Sequence, residues 1–420
     1  MLIVFLPRES SLRRMTSDRR TINFPSVGSI GELFAGGCHI GAARGPVVVP
    51  ADEPLQLRVD FTASTIDLSF LDKLAGDDLQ SLSLYGCLLK DGDLAHLAHL
   101  SGLKQLELRR TYISDAALVH MQDLCQLLSL NLSQTNITDS GLAQLSALTC
   151  LTELDLGNTA ISDAGLAELS ELGSMRSLVL SETKVSDEGL SAIGRLSGLQ
   201  VLFLDKTQVS DQGMEQLVNL LDLLMLVLKD TGITDRGLES IARLKSLSWL
   251  ILDRTRVTDL GLASIAKLSS LEGLTLSDTD ISAAGTIFLK NLSSLSYLDI
   301  SRTMVNDDVL RHIKDMALLR YLNVEKTLVT YEALAEFQHM RPDLEVKGPL
   351  PQSGKTFSQG MFGSEGAYGS SVRAQVFEVI VRQALAGAPW QEICQGPMEV
   401  NNITVEEIEA EVERRRMQLP

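Results

Sequence analysis

The chain has 420 residues, 45% of them apolar but only 5% aromatic, and its 54 acidic side chains outnumber 37 basic ones for a formal charge of −17. That apolar content can build a long core of aliphatic rather than ring character. The acidic excess, with no basic stripe interleaved with aromatic residues, excludes a phosphate-backbone partner and therefore nucleic acid.

Residues 1–24 open with MLIVFLPRESSLRRM, whose six-residue apolar run is too short for a secretory core, and read as a disordered basic lead. No span of the sequence reaches the length of a transmembrane helix, so no membrane partner is expected. Five cysteines, Cys38, Cys87, Cys125, Cys150 and Cys394, are odd in number and contain no C-x-x-C. They indicate neither a disulfide framework nor a zinc site, and the expected compartment is reducing and cytoplasmic.

Residues 25–78 read as an N-terminal cap. Leu57, Val59 and Phe61 alternate within VVVPADEPLQLRVDF, as an extended lid over the open end of a repeat array requires. From residue 79 to 347 one frame recurs. Thr111, Thr135, Thr159, Thr183, Thr207, Thr231, Thr255, Thr279, Thr303 and Thr327 stand 24 residues apart without insertion or deletion, and a less regular eleventh unit precedes them with Cys87 in the threonine place.

Each unit reads L-x-x-L-x-L-x-x-T-x-I/V-S/T-D-x-G-L-x-x-L/I-x-x-L, as in LTELDLGNTAISDAGLAELSEL at 151–172. Alternation around Leu154 and Leu156 predicts a short strand, and leucines three apart at 166, 169 and 172 predict a helix after it. Of the seventy apolar-column positions in the ten units only Thr286 is not apolar. Ser or Thr followed by Asp fits a helix start, the oxygen capping a backbone N–H and the carboxylate facing the positive dipole end. Threonine at the turn is expected to satisfy backbone groups. The recurrent Gly two residues after the Asp costs about 1 kcal/mol against Ala inside a helix, so close packing of adjacent units is expected to offset it.

These units resemble leucine-rich repeats of the ribonuclease-inhibitor-like and F-box-associated type, with Thr where the common pattern has Asn or Cys. The resemblance implies a right-handed α/β solenoid, strands lining a concave side and helices outside. It also implies binding rather than catalysis.

With the inward leucines assigned, the outward strand positions carry the information. Val179, Val201, Phe203, Met225, Val227, Trp249 and Ile251 form an apolar island across four successive strands, expected to be exposed and to bind a partner. Asp205, Lys229, Asp253, Tyr297 and Tyr321 lie among its polar surroundings, the anatomy of a protein-binding hot spot. The alternative is an island covered by the chain's own C-terminal segment or by a second copy through self-association.

Residues 348–371, rich in Gly, Ser and Pro, read as a linker. Gly354-Lys355-Thr356 within it lacks the spacing of a phosphate loop. Residues 372–420 read as a small helical unit, with Phe377, Ile380, Val381, Ala384 and Leu385 on one face of a first helix. Val405, Ile408 and Val412 stripe a second that ends at Arg414–Arg416. The expected function is a non-enzymatic scaffold without a cofactor, binding a basic or amphipathic protein. The alternative is an adaptor whose solenoid selects a target while the C-terminal unit carries the effector activity.

Overall fold

The computed structural model describes residues 19–26, 30–51, 53–59 and 66–349. Phe61, Cys394, the linker beyond residue 349 and the helices expected over 372–416 lie outside the described residues. The chain divides into two compact units, the first ending at Asn136 and the second beginning at Ile137, so the repeats contribute to both.

The first unit begins with β1 (Arg19–Asn23), β2 (Gly31–Ala35), β3 (Cys38–Ala42), β4 (Pro46–Pro50) and β5 (Leu55–Val59). Arg19–Asn23, read from sequence as part of a disordered lead, instead pairs antiparallel with β4. Burial of Ile22 and Val49 explains the pairing, because each hides an apolar side chain that neither strand could cover alone. β2 runs antiparallel to both β3 and β5. Leu55, Leu57 and Val59 are all buried on one face of β5, as alternation requires. β5 then pairs in parallel with β6 (Ser81–Ser83), followed by β7 (Gln105–Glu107) and β8 (Ser129–Asn131). The antiparallel strands thus precede the first parallel rung, with β5 in the place of a cap strand.

The second unit supplies β9 (Glu153–Asp155), β10 (Ser177–Val179), β11 (Val201–Phe203), β12 (Met225–Val227) and β13 (Trp249–Ile251). It continues through β14 (Gly273–Thr275), β15 (Tyr297–Asp299), β16 (Tyr321–Asn323) and β17 (Glu345–Lys347). These strands pair in parallel, each with the next, and equivalent residues meet: Leu178 pairs Leu202, Leu202 pairs Leu226, and Leu226 pairs Leu250. A 24-residue repeat with no insertion imposes that register, since any slip would turn the leucine file out of the core.

The turn that leaves each strand is equally uniform. The residue before each repeat threonine, from Arg110 to Lys326, has φ between 54 and 60°, a left-handed conformation that none of them relieves by being glycine. Each threonine hydroxyl donates to the carbonyl three residues earlier, for example Thr159 to Leu156 at 2.5 Å and Thr255 to Leu252 at 2.6 Å. The threonine column is therefore a turn lock that satisfies a carbonyl the sheet leaves unpaired.

The helical half is shorter than a regular helix in several repeats, whereas Asp235–Ile241, Asp259–Ile265 and Tyr331–Met340 are regular α-helices. Asp163–Leu166 and Asp211–Met214 are single α-turns that continue as 3-10 turns over Ala167–Leu169 and Glu215–Leu217. Leucines three residues apart align on one face of a 3-10 helix, and the same spacing is accommodated by an α-helix where Leu238 and Ile241, or Leu262 and Ile265, are both buried. Thr286, the one polar residue in an apolar column, is fully buried, donates to Ala283 at 2.7 Å and meets His312 Nδ1 at 2.8 Å.

The Asp column does more than face a helix dipole. Each carboxylate reaches the cap residue of the following repeat: Asp187 accepts the Ser210 N–H at 2.6 Å and its hydroxyl at 2.5 Å. Asp235 does the same for Thr258 at 2.8 and 2.6 Å. The cap hydroxyls of Ser162 and Ser210 are thereby donors to the preceding repeat and make no capping bond of their own. The recurrent glycine follows from this clamp. A Cβ on Gly165, Gly237 or Gly261 would stand 2.5 Å from the Asp Oδ1 of the previous repeat.

Candidate functional site

The face of β10–β16 turned away from the leucine file carries the side chains that the sequence singles out. One column runs Val201, Met225, Trp249, Gly273, Tyr297, Tyr321, and the next runs Val179, Phe203, Val227, Ile251, Thr275, Asp299, Asn323. The seven apolar residues are therefore contiguous, one rung apart, across four strands. Strand alternation in a rigid repeat register is sufficient to place them so.

Their exposure is the point at which the sequence reading fails. Val201, Phe203, Met225, Val227, Trp249 and Ile251 are only 1–7% exposed, and Val179 alone is half-buried. Alternation decides which way a side chain points, not how much water reaches it. Neighbouring rungs stand about 4.8 Å apart, so each bulky side chain is walled by its equivalents before and after. The indole of Trp249 lies over Gly273, where a Cβ would stand 2.1 Å from the ring carbon Cε3, and its centroid is 5.6 Å from that of Tyr297. The indole N–H is buried without a hydrogen-bond partner. Gly273 is the residue the sequence reading missed. A glycine interrupting a column of bulky side chains was its only signal.

Tyr297 and Tyr321, both half-buried, stack with centroids 4.4 Å apart and planes inclined by 4°, and Lys347 Nζ lies 5.6 Å from the Tyr321 centroid. Burial holds both phenols above their ordinary range, so each remains a protonated donor.

A third column brings Asp205, Lys229 and Asp253 beside the island. Ser181 donates its hydroxyl to Asp205, and Asp253 accepts the Ser277 N–H at 3.0 Å. Burial pushes the carboxyls of Asp205 and Asp253 up and the Lys229 ammonium down, each shift favouring the neutral form. Beyond them the left-handed turn residues make a charged edge in which Glu182 pairs Lys206 and Asp230 pairs Arg254.

Asp253 has a consequence for stability. Its carboxyl titrates higher in the folded than in the unfolded chain, so the fold binds the proton more tightly and loses stability as pH rises from the ordinary carboxylate value through the raised one. The penalty grows across that window, so it is larger at neutral than at acid pH. Asp253→Asn, which keeps the oxygen that accepts Ser277 N–H, should therefore raise the melting midpoint at neutral pH and change little under acid conditions. Melting curves at the two pH values check this. An unchanged or lower midpoint at neutral pH contradicts it.

Among the described residues there is no group of three or more His, Cys, Asp or Glu side chains able to hold a metal ion, and no helix long and apolar enough to cross a membrane. The arrangement offers shape, ring faces and carboxylates.

A family model described as Leucine Rich repeat matches residues 124–146, 147–170 and 174–194. Among solved structures the chain is similar to an internalin of Listeria monocytogenes, with 25% identity and a TM-score of 0.55 over 71% of this chain and 87% of that one. It is also similar to an LRR protein of Leptospira interrogans, with 17% identity and a TM-score of 0.52 over 69% of this chain and 83% of that one. The latter likeness is one of fold alone. No curated protein matches the sequence.

Proposed function

We propose, on the premise that this chain is a leucine-rich-repeat protein, that it is a non-enzymatic scaffold which grips a protein partner on the strand face of its second unit. Leucine-rich-repeat proteins generally mediate protein–protein interaction. The observation that carries the reading here is the contiguous ladder from Val201 to Tyr321, in which a packed apolar floor adjoins two stacked, half-buried tyrosines and a row of carboxylates.

The roles differ from those an exposed island would have. Phe203, Met225, Val227 and Trp249 form the rigid floor, with Val201 and Ile251 beside them, and changing Phe203 or Trp249 to Ser would cost stability before it reported on binding. Tyr297 and Tyr321 offer ring faces and hydroxyls at the border, a combination favoured in hot spots. Asp205, Asp253 and Asp299 suit a partner with basic or amphipathic character, which the overall acidic charge also attracts.

Affinity capture from cell extract with the full chain, read by mass spectrometry, tests the assignment. Tyr297→Ala with Tyr321→Ala should reduce the captured partner about tenfold or more. Leu260→Ser, at an exposed helix start in another part of the repeat, should leave capture intact. Equal capture by both variants overturns the reading.

A further inference from the structure

The left-handed residue in the turn after each strand carries a charge over six successive rungs, and the sign alternates. From the turn after β10 to that after β15 the column reads Glu182, Lys206, Asp230, Arg254, Asp278, Arg302, three carboxylates and three cations in a chain whose formal charge is −17. The N–H of each donates to a carbonyl of the next rung at 2.8–3.0 Å, so the six stand in fixed order, about 4.8 Å apart. All are exposed except Asp230, which is half-buried. Glu182 pairs Lys206 and Asp230 pairs Arg254 within the chain, whereas Asp278 and Arg302 make no ion pair among the described residues. On the same turns as Arg302 and Lys326, Met304 and Leu328 are 63% and 55% exposed. Pairing inside the chain thus leaves part of the charge, and this apolar surface, without a use.

We propose that this turn column is an interface at which a second copy of the chain docks antiparallel, about a two-fold axis between Asp230 and Arg254. Such an axis sets residue i of one copy against j of the other, and j against i. Asp230 then faces Arg254 of the second copy, Lys206 faces its Asp278, and Glu182 faces its Arg302, so every charge in the column meets its opposite. Other placements do worse. An axis through the Asp230 rung sets Lys206 against Arg254 and Glu182 against Asp278, like against like. One repeat further on, Lys206 meets Lys326, and one repeat earlier only two opposite pairs remain. The central axis also brings Leu328 to Ala160 and Met304 to the aliphatic stem of Lys184 in the second copy, both exposed. Because the column sums to zero, two chains of strongly acidic charge can approach along it. The contact involves no other protein and stands apart from the function proposed above.

Charge reversal in trans tests the pairing. Sedimentation equilibrium of the full chain should give a mass that rises with concentration toward twice that of one chain. Lys206→Glu sets the new carboxylate against Asp278 of the second copy at both symmetry-related contacts, and Asp278→Lys sets two ammonium groups against each other there. Each variant alone should dimerise about tenfold more weakly or worse. An equimolar mixture should recover the parent's association, because in the mixed pair one contact joins the two reversed side chains and the other joins the two native ones. Any effect of either change inside its own chain is the same alone as in the mixture, so recovery on mixing has an intermolecular cause. A parent chain that stays monomeric at every concentration, single variants that dimerise like the parent, or a mixture no stronger than its components each overturn the proposal. Should a reversal variant misfold by circular dichroism, Met304→Ser with Leu328→Ser gives a second reading. It should also weaken the dimer, and unchanged association there has the same meaning.

Discussion

Replacing Asp211 by Ala should destabilise the second unit by about 3 kcal/mol, far beyond what an Asp at a helix start contributes through the dipole, about 0.3–1 kcal/mol. Its Oδ1 accepts the N–H groups of Thr234 at 2.8 Å and Gly237 at 3.0 Å, and its Oδ2 accepts the Thr234 hydroxyl at 2.6 Å. All three donors belong to the next repeat. Truncation leaves two backbone N–H groups of a partly buried helix start without an acceptor, and such groups cost their full desolvation penalty. Asp211→Asn keeps Oδ1, and the Thr234 hydroxyl can turn to accept from the new amide, so its cost should be about 1 kcal/mol. Urea denaturation distinguishes the two through the midpoint at constant slope. If Ala and Asn shift it equally, the clamp is not what holds adjacent repeats together.

Gly237→Ala should destabilise as well, by about 2 kcal/mol, although helix propensity alone favours Ala by about 1 kcal/mol. The two effects have opposite sign, and geometry decides between them. The added Cβ would sit 2.5 Å from Asp211 Oδ1 and 3.3 Å from Asp211 Cα, so the carboxylate has to move out of its clamp. Removing the obstacle should reverse the result. In an Asp211→Ala background the same Gly237→Ala change should be nearly neutral or stabilising, giving a large coupling energy in the double-mutant cycle. A stabilising Gly237→Ala in the parent chain would show that neighbouring turns have room to spare. Additive costs would show that Asp211 is not the obstacle.

Both expectations concern columns whose existence is plain in the sequence and whose purpose is not. Ser/Thr-Asp at a helix start already has a local explanation in capping, and the glycine two residues on has only a cost. The structure joins them, because the acceptor for each cap lies 23 residues earlier and the glycine makes room for it. Composition and spacing within one unit do not reveal a bond between units.

The strand face divides in the same way. Ten threonines in strict 24-residue register, with apolar columns around them, determined by themselves the strand-turn-helix unit, the parallel pairing and the direction in which Trp249 and Ile251 point, since period 2 within a locked repeat admits one answer. Access to water was decided only in three dimensions. The indole of Trp249 is hidden by Gly273 and Tyr297, 24 and 48 residues further along the chain, and by the side chains of the adjoining rungs. Direction is a property of the backbone and repeats with it; burial is a sum over neighbours that the linear pattern of one strand does not contain.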